Sequence, residues 1–441
     1  MVERESTSER PDGGVRASWA LLRDNRDFRN VYLASLISLG GDWFLVVALT
    51  GLVIDLTGSP IAVAFLFAVQ DLPLFFLAPA AGALVDRLDR RKLMVVCDLA
   101  RALVCLGFLF VRSSDTVWVA YPLLAVMASF AAGFDPASSA ALPNLVDEED
   151  LSTANALSGS LWGTMLAVGA ALGGLVAAIA GRDAAIVVDA LSFGASGLLI
   201  ASVHRPFSEA RDHEDEHPKI LDATRETFSY ASKDHRVLAL LAVKCGFGLG
   251  AGVLVLISLF ATEVFRGNDA AIGFLMAARG VGALVGPFIG RSLLGPQDRR
   301  LFTVIGLALL VFGVAYTLLG LAPTLIVAMP IVAVAHVGGG AQWMLSSYGL
   351  QRIVPDRIRG RIFSFDLALL TATFAISSIA TGVAAHTFGV KPTAIALGLI
   401  GTVFAIVWTI FTTDVRRATM LEGCGGPPES DYGSGLPVAL D

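Results

Sequence analysis

Apolar positions run through this chain in blocks of roughly 20 residues, each closed by a short polar or glycine-bearing break, from residue 28 to residue 413. A block of that length, wound as an α-helix, matches the hydrocarbon thickness of a bilayer. The pattern predicts twelve spans, at about 28–54, 59–84, 93–112, 117–142, 154–180, 184–203, 236–262, 270–293, 301–320, 323–349, 361–387 and 392–413. Several exceed 20 residues, which tilt or protruding ends absorb. The longest polar interruption, 204–235, divides the chain. A tail (1–27) precedes the first six spans (28–203), the linker (204–235) follows them, and the second six (236–413) lead into a C-terminal tail (414–441). The extreme tails, 1–22 and 418–441, are rich in Gly, Pro, Ser and charge and read as disordered. The linker carries Ile220, Leu221, Thr224 and Phe228 on one side of a surface helix suited to lying along a membrane.

Composition agrees with that pattern. The chain is 55% hydrophobic and 16% charged, against about a quarter charged in soluble proteins, and its mean hydropathy is +0.70. The expected fold is an all-α membrane protein. A net charge of −6 argues against nucleic acid as a partner. Of the four cysteines, Cys97, Cys105 and Cys245 fall inside apolar segments and read as small buried hydrophobes; Cys424 lies in the tail, and no disulfide or metal framework emerges. The apolar segment after the polar first 27 residues is too long for a signal peptide, so the first span is expected to stay in the membrane.

Lys and Arg set the orientation. With the N-terminus inside, the outer loops hold four of the 32 (Arg112, Arg182, Arg266 and Lys391), three lie within spans (Arg101, Lys244 and Arg279), and 25 face the cytoplasm. Both termini are therefore expected in the cytoplasm and the chain in the plasma membrane. The halves also align without a gap under a shift of 208 residues: Gly40 meets Gly248, Gly82 meets Gly290, Arg91 meets Arg299, Leu142 meets Leu350, Gly174 meets Gly382 and Gly181 meets Gly389. Identities come easily in an Ala/Leu/Gly-rich chain; loops falling on loops at a constant offset carry more weight. Two pseudo-symmetric six-helix bundles joined by a long linker is a parallel-repeat transporter layout.

Between the second and third spans stands GALVDRLDRRK, residues 82–92. Gly82 lets a neighbouring backbone approach, Asp86 sits where the second span leaves the membrane, and Arg87, Arg90, Arg91 and Lys92 follow. This strip resembles the loop 2–3 signature of the major facilitator superfamily, G-x-x-x-D-R-x-x-R-R-[KR]. The resemblance covers about 28–413 and is best for the drug:proton antiporter branch that includes macrolide and enterobactin exporters. NRDFRNVYLASLISLGGDWF (25–44), ALPNLVDEEDLSTANAL (141–157), DALSF (189–193) and VPDRIRGRIFSF (354–365) extend it. The resemblance implies the major facilitator fold and a cytoplasmic gate in which Asp86 faces the N-terminus of the eleventh span, where free N–H groups favour an anion. The bases also serve orientation alone. The second copy, GRSLLGPQDRR at 290–300, has Leu294 opposite Asp86 and cannot make the same acid contact.

Charges at bilayer depth cost at least roughly 2.5–3.5 kcal/mol each and need a partner or a task. Asp42 on the first span is the first candidate for proton coupling; the alternative is a permanent bond to neighbouring helices. Asp71, just before Pro73, is the second candidate. It matches Arg279 under the 208 shift, although the family fold puts their helices on opposite flanks. Asp98 and Arg101, one turn apart, can pair locally. Asp135, Lys244 and Asp366 lie nearer the cytoplasmic ends, where snorkelling suffices. His336 either titrates or binds substrate, or is a satisfied buried histidine.

Gly169-Ala-Ala-Leu-Gly173-Gly174 resembles the antiporter G-P-x-x-G-G motif, with Ala170 in place of proline. Gly169 with Gly173, and Gly282, Gly286 and Gly290, repeat at one turn, so the fifth and eighth spans are expected to pack across the halves through these glycines. Gly246, Gly248, Gly250 and Gly252 invite bending of the seventh span. The resemblance assigns spans 1, 4, 7 and 10 to a cavity, giving Trp43, Phe44, Phe130, Phe247, Gln342 and Trp343, with Arg279 and His336, as candidate pocket residues; ordinary packing or lipid contact is the rival for each. An apolar, aromatic wall suits an amphipathic organic molecule. No phosphate loop, zinc signature or nucleophile elbow appears. The expectation is a secondary transporter, without cofactor or metal and not an enzyme. It would work as a monomer, exporting a small drug-, macrolide- or siderophore-like compound in exchange for protons by alternating access. An importer or uniporter on the same fold, or a non-transporting receptor or scaffold, are the alternatives.

Overall fold

The structure is a computed structural model describing residues 15–207, 233–295 and 298–421. Among the described residues, twelve helices are long and apolar enough to cross a membrane. They are α1 Arg26–Thr57, α2 Pro60–Arg87, α3 Arg90–Gly107, α4 Ala120–Leu145, α5 Leu151–Ala180, α6 Arg182–Ala201, α7 His235–Val264, α8 Asp269–Leu293, α9 Leu301–Leu319, α10 Leu325–Ile353, α11 Asp356–Phe388 and α12 Val390–Phe411. Each falls on a predicted span. Side-chain caps begin several of them: Asn25 Oδ1 accepts from Phe28 N at 2.9 Å, Asp89 from Lys92 N at 3.1 Å and Asp234 from Arg236 N at 2.8 Å.

Two elements depart from the expected disordered tails. A short helix, Val15–Asp24, precedes α1, and its Leu21 is buried with Phe28, Leu142, Val146 and Ala154. A second, Thr413–Leu421, continues after α12. Apolar side chains at helical spacing give the first tail a face to bury, which a reading of overall polarity overlooks. The linker helix around Ile220 and Phe228, and Cys424, lie outside the described residues.

The repeat is visible in the backbone. Gly58 and Arg266, 208 residues apart, both turn through the left-handed region, at φ 57° and 51°. Gly181 and Gly389, again 208 apart, have φ/ψ of 89°/160° and 89°/163°, each ending one helix and starting the next. Matching unusual turns at one offset is stronger support than matching apolar letters. The neighbours repeat as well. In the first bundle α1 lies against α5 and α6, α2 against α4, and α3 against α4 and α6; each contact recurs six helices later. Across the bundles α5 meets α8 and α2 meets α11, itself a symmetric pair of contacts. Both chain ends emerge on one face, where His235 at the start of α7 stacks on Phe411 at the end of α12 with centroids 4.0 Å apart.

The fifth and eighth helices do cross between the bundles, but not through the expected glycines. Gly169 and Gly173 face α1: a Cβ there would lie 3.0 Å from Gly40 O and 2.7 Å from Phe44 Cα. Gly282, Gly286 and Gly290 face α10, with Cβ positions 2.9 Å from His336 Cβ, Ala341 N and Ala341 Cβ respectively. The crossing uses Gly163, Ala167, Ala170 and Gly174 of α5 against Gly273, Gly280 and Leu284 of α8. A Cβ on Gly280 would sit 2.6 Å from Ala167 Cα, and one on Gly174 would sit 2.9 Å from Gly273 Cα. At 3.6 residues per turn, Gly280 and Gly282 point about 200° apart, so one stripe closes the bundle and the other closes the molecule.

Helix α7 changes its winding at two places. Gly250–Gly252 tightens into a 3₁₀ turn, and Phe260–Val264 widens into a π turn. The Gly252 amide donates to Ser377 Oγ of α11 at 3.1 Å, and a side chain at 252 would run into Thr381 and Ser377 O. The interrupted backbone group is thus satisfied by a neighbouring helix, as a membrane interior requires.

Candidate functional site

On the face bearing the termini, Arg90 is buried and donates to Ala140 O at 2.8 Å and Phe207 O at 3.1 Å, while Arg91 donates to Val203 O at 2.7 Å. These two bases staple α3 to the ends of α4 and α6 within one bundle; Lys92 is exposed. The side-chain surroundings of Gly82, Asp86 and Arg87 lie outside the described residues. In the other bundle the equivalent of Arg90 is Asp298 (298 − 90 = 208), and the equivalent of Ala140 is Tyr348 (348 − 140 = 208). Asp298 accepts from Tyr348 Oη and Arg352, and from Arg291 at 2.5 Å. Burial raises the Asp298 carboxyl, but these three donors outweigh it and hold the group below the ordinary carboxylate range. The second copy therefore closes the same junction with the charge reversed.

Mid-membrane, the first bundle holds a cluster of carboxyls around one guanidinium. Arg101 pairs with Asp98, which also accepts from Ser196 Oγ at 2.6 Å, and lies 4.7 Å and 4.4 Å over the rings of Phe134 and Phe193. The local Asp98–Arg101 pair is as expected. Asp42 and Asp135 lie within electrostatic reach of Arg101. Asp42 is half-buried and Asp135 exposed, although both sit deep within the span region. Asp189 on α6, which the sequence reading quoted only within a motif, joins the cluster. It is fully buried and accepts from Cys105 Sγ at 3.2 Å and Ser192 Oγ at 3.4 Å. Gly41 makes this possible, since a Cβ there would lie 2.5 Å from Asp189 Oδ1.

The second bundle holds the aromatic cavity. Phe247, Arg279, His336, Phe312 and Phe374 line a small central space. Phe247 packs on Phe312, Trp343 and Phe374 with centroids 5.6, 5.6 and 5.8 Å away. His336 Nε2 lies 2.6 Å from Tyr316 Oη. From the first bundle Trp43 reaches the centre, edge-on to Trp162, and Arg279 lies 5.9 Å and 5.3 Å from these two rings. Trp162 and Trp343 stay 45% and 40% exposed while packing on these central side chains. Gln342 is fully buried on α10.

Three expectations are corrected. Phe44 lies over Gly173 and packs with Ala48, Ala177 and Ala185, inside the first bundle. Phe130 packs with Phe134 and Cys97 in a cluster of the same bundle. Both are interior packing, because their helix turns them from the lumen. Lys244 does not snorkel: it is buried, 3.7 Å from Asp366, 3.1 Å from Ser347 Oγ and 3.6 Å above the Trp343 ring. A carboxylate, a hydroxyl and a ring face satisfy it in place. Asp71 is half-buried and within electrostatic reach of Arg279, and no direct bond between them is recorded among the described residues.

On the face opposite the termini, Arg182 at the start of α6 bridges both bundles. It donates to Asp269 at 2.8 and 2.9 Å and to Asp55 at 2.8 Å. Asp269 opens α8, where a helix N-terminus favours a carboxylate, and lies over Gly51 of α1, with its Cγ 3.0 Å from where a Cβ would be. Beside it, Gly382 of α11 packs on Pro60 O, 2.9 Å from a Cβ position, and on Ile61. This face is closed by cross-bundle contacts. Sequence reading counted Arg182 only as an outer-loop base; its partners are 127 and 87 residues away (182 − 55, 269 − 182).

With that geometry in place, comparison with known proteins is informative. The family described as transmembrane secretion effector matches residues 16–420. An uncharacterized MFS-type transporter, YfiS, of Bacillus subtilis is 26% identical over 51% of this chain, which thus spans about half (54%) of that relative. The multidrug efflux pump Tap of Mycobacterium tuberculosis is 26% identical over 84% of this chain and 89% of its own length. In fold, the chain resembles a bacterial homologue of the lysosomal transporter Spinster, solved in an inward-facing, unoccupied conformation: TM-score 0.69, 14% identity, 94% of this chain and 100% of that one.

Proposed function

This chain belongs to the transmembrane secretion effector family of major facilitator transporters, and from that membership we propose that it exports a small amphipathic compound in exchange for protons. It would do so across the plasma membrane, with both termini in the cytoplasm. The observation that carries the reading is the central set of aromatic and charged side chains around Arg279 and Phe247. Aromatic walls with a few charged groups suit an amphipathic body, and a half-exposed Asp42 beside Arg101 offers a carboxyl that can load and release a proton. The structure described above then corresponds to the inward-facing stage, with Arg182–Asp269 holding the outer side shut. Rocking of the bundles about the α5–α8 and α2–α11 crossings would break that link and expose the site outward. Asp86 facing the N-terminus of α11 is proposed as the inner latch of that second state. The multidrug efflux activity named for Tap supports the outward direction.

Transport in sealed vesicles tests the reading. With the full-length protein reconstituted and a fluorescent amphipathic dye as cargo, an imposed pH gradient is expected to drive the dye opposite to proton flow. Dye movement with the protons would make the chain an importer, and movement indifferent to the gradient a uniporter.

A further inference from the structure

Among the described residues, Arg279 is a central cation with no direct ion-pair partner. Arg101 has Asp98, Lys244 has Asp366, and Arg182 has Asp55 and Asp269. Among the described residues no carboxylate lies within ion-pair distance of Arg279, which is 95% buried. Among the described residues its Nε and Nη1 are buried without a hydrogen-bond partner, and so is the Nε1 of Trp43, whose ring lies 5.9 Å from the guanidinium. All three unmatched atoms are donors. The other polar group lining the cavity, His336, is engaged by Tyr316. A buried guanidinium is always charged and has a strong demand for acceptors. An uncompensated one is retained at considerable cost unless something completes it.

We propose that Arg279 and the Trp43 indole N–H form an anion-accepting subsite, so that the transported molecule carries a carboxylate or similar acidic group attached to an aromatic or apolar body. The acidic group would take the free guanidinium N–H groups. The body would lie against Phe247, Phe312 and Phe374, the apolar wall of the same cavity. Trp162, 5.3 Å from the guanidinium and edge-on to Trp43, holds the charge by cation–π contact without using its donors. Asp71 is near enough to feel Arg279 but is not bonded to it, so a substrate anion and this carboxylate would compete for one cation. This inference rests on reading the lumen as the substrate site, and deepens it by fixing the charge of the cargo.

The test is equilibrium binding to the full-length protein in lipid nanodiscs, against empty nanodiscs, of three dyes with one fluorophore: dansylglycine (anionic at neutral pH), dansylamide (neutral) and dansylcadaverine (cationic). Dansylglycine is expected to bind about tenfold or more tightly than either other dye, the scale of one charge-assisted hydrogen bond. Arg279→Gln should erase that preference, and Arg279→Lys should keep part of it. Equal affinity for the three dyes in the natural protein would overturn the proposal, and needs no variant to fold. So would an Arg279→Gln variant, monodisperse on size exclusion, that loses all three dyes alike. Failure of every dye to bind would instead remove the reading of the lumen as a site for amphipathic compounds.

Discussion

Asp42→Asn is expected to abolish the coupling of transport to protons while leaving passive exchange of substrate. Asparagine has nearly the shape of aspartate but can neither gain nor lose the proton. One charge carried across 100 mV contributes about 2.3 kcal/mol, enough for a concentration ratio of about 50. In energised vesicles the natural protein should approach that scale per coupled proton, and the variant should fall to equal concentrations on both sides. Asp42 is favoured over its neighbours by position. Asp189 is enclosed by Cys105 and Ser192 with no exposed surface, and Asp98 is held by Arg101 and Ser196. Asp42 alone of these three is half-buried and not fully enclosed. If Asp42→Asn keeps an accumulation gradient and Asp71→Asn loses it, the carrier is on the second helix.

The second large effect is steric. Gly280→Leu is expected to leave little or no monodisperse protein, because even the first carbon of the new side chain lies 2.6 Å from the Ala167 backbone in the other bundle. Backbone atoms cannot rotate aside as a flexible side chain could. The smaller Gly280→Ala change should cost about 1–3 kcal/mol, the range for overpacking, read as a lower midpoint of thermal unfolding and slower transport. Gly159→Ala, on the partner helix α5, is the control: a Cβ there meets nothing within 4 Å. It should be neutral or mildly stabilising, as an alanine in a helix normally is. A similar loss in both variants would mean that helix flexibility, and not the α5–α8 contact, sets the outcome.

The spans were legible because a membrane helix is fixed by length and apolarity, both local properties. The repeat was legible as an offset, and the turns at Gly58/Arg266 and Gly181/Gly389 give it a structural basis. Asp98–Arg101 could be read from i,i+3 spacing alone. What failed needed knowledge of which face meets which helix. The spacing of Gly282, Gly286 and Gly290 announces a close approach but not its partner, which proved to be α10. Phe44 and Phe130 sit on cavity helices yet face their own bundle. The Lys244–Asp366 and Arg182–Asp269 pairs join residues 122 and 87 positions apart (366 − 244, 269 − 182), beyond any local pattern. Asp189 was visible only as a letter in a motif, since its proximity to α1 depends on Gly41.

The central claim is that two rigid bundles alternately seal opposite faces around one lumen, and paired distance measurements test it most directly. Spin labels at Ser114 and Leu321 report the face opposite the termini, and labels at Ser152 and Gln351 report the other face; all four positions are exposed, and each pair spans the two bundles. Arg182→Gln is expected to add a longer-distance population to the first pair and, in the same sample, a shorter one to the second. A reciprocal change of that kind is the predicted result. Both pairs keeping one unchanged distance, with and without Arg182→Gln and across the pH range that drives transport, would contradict the account.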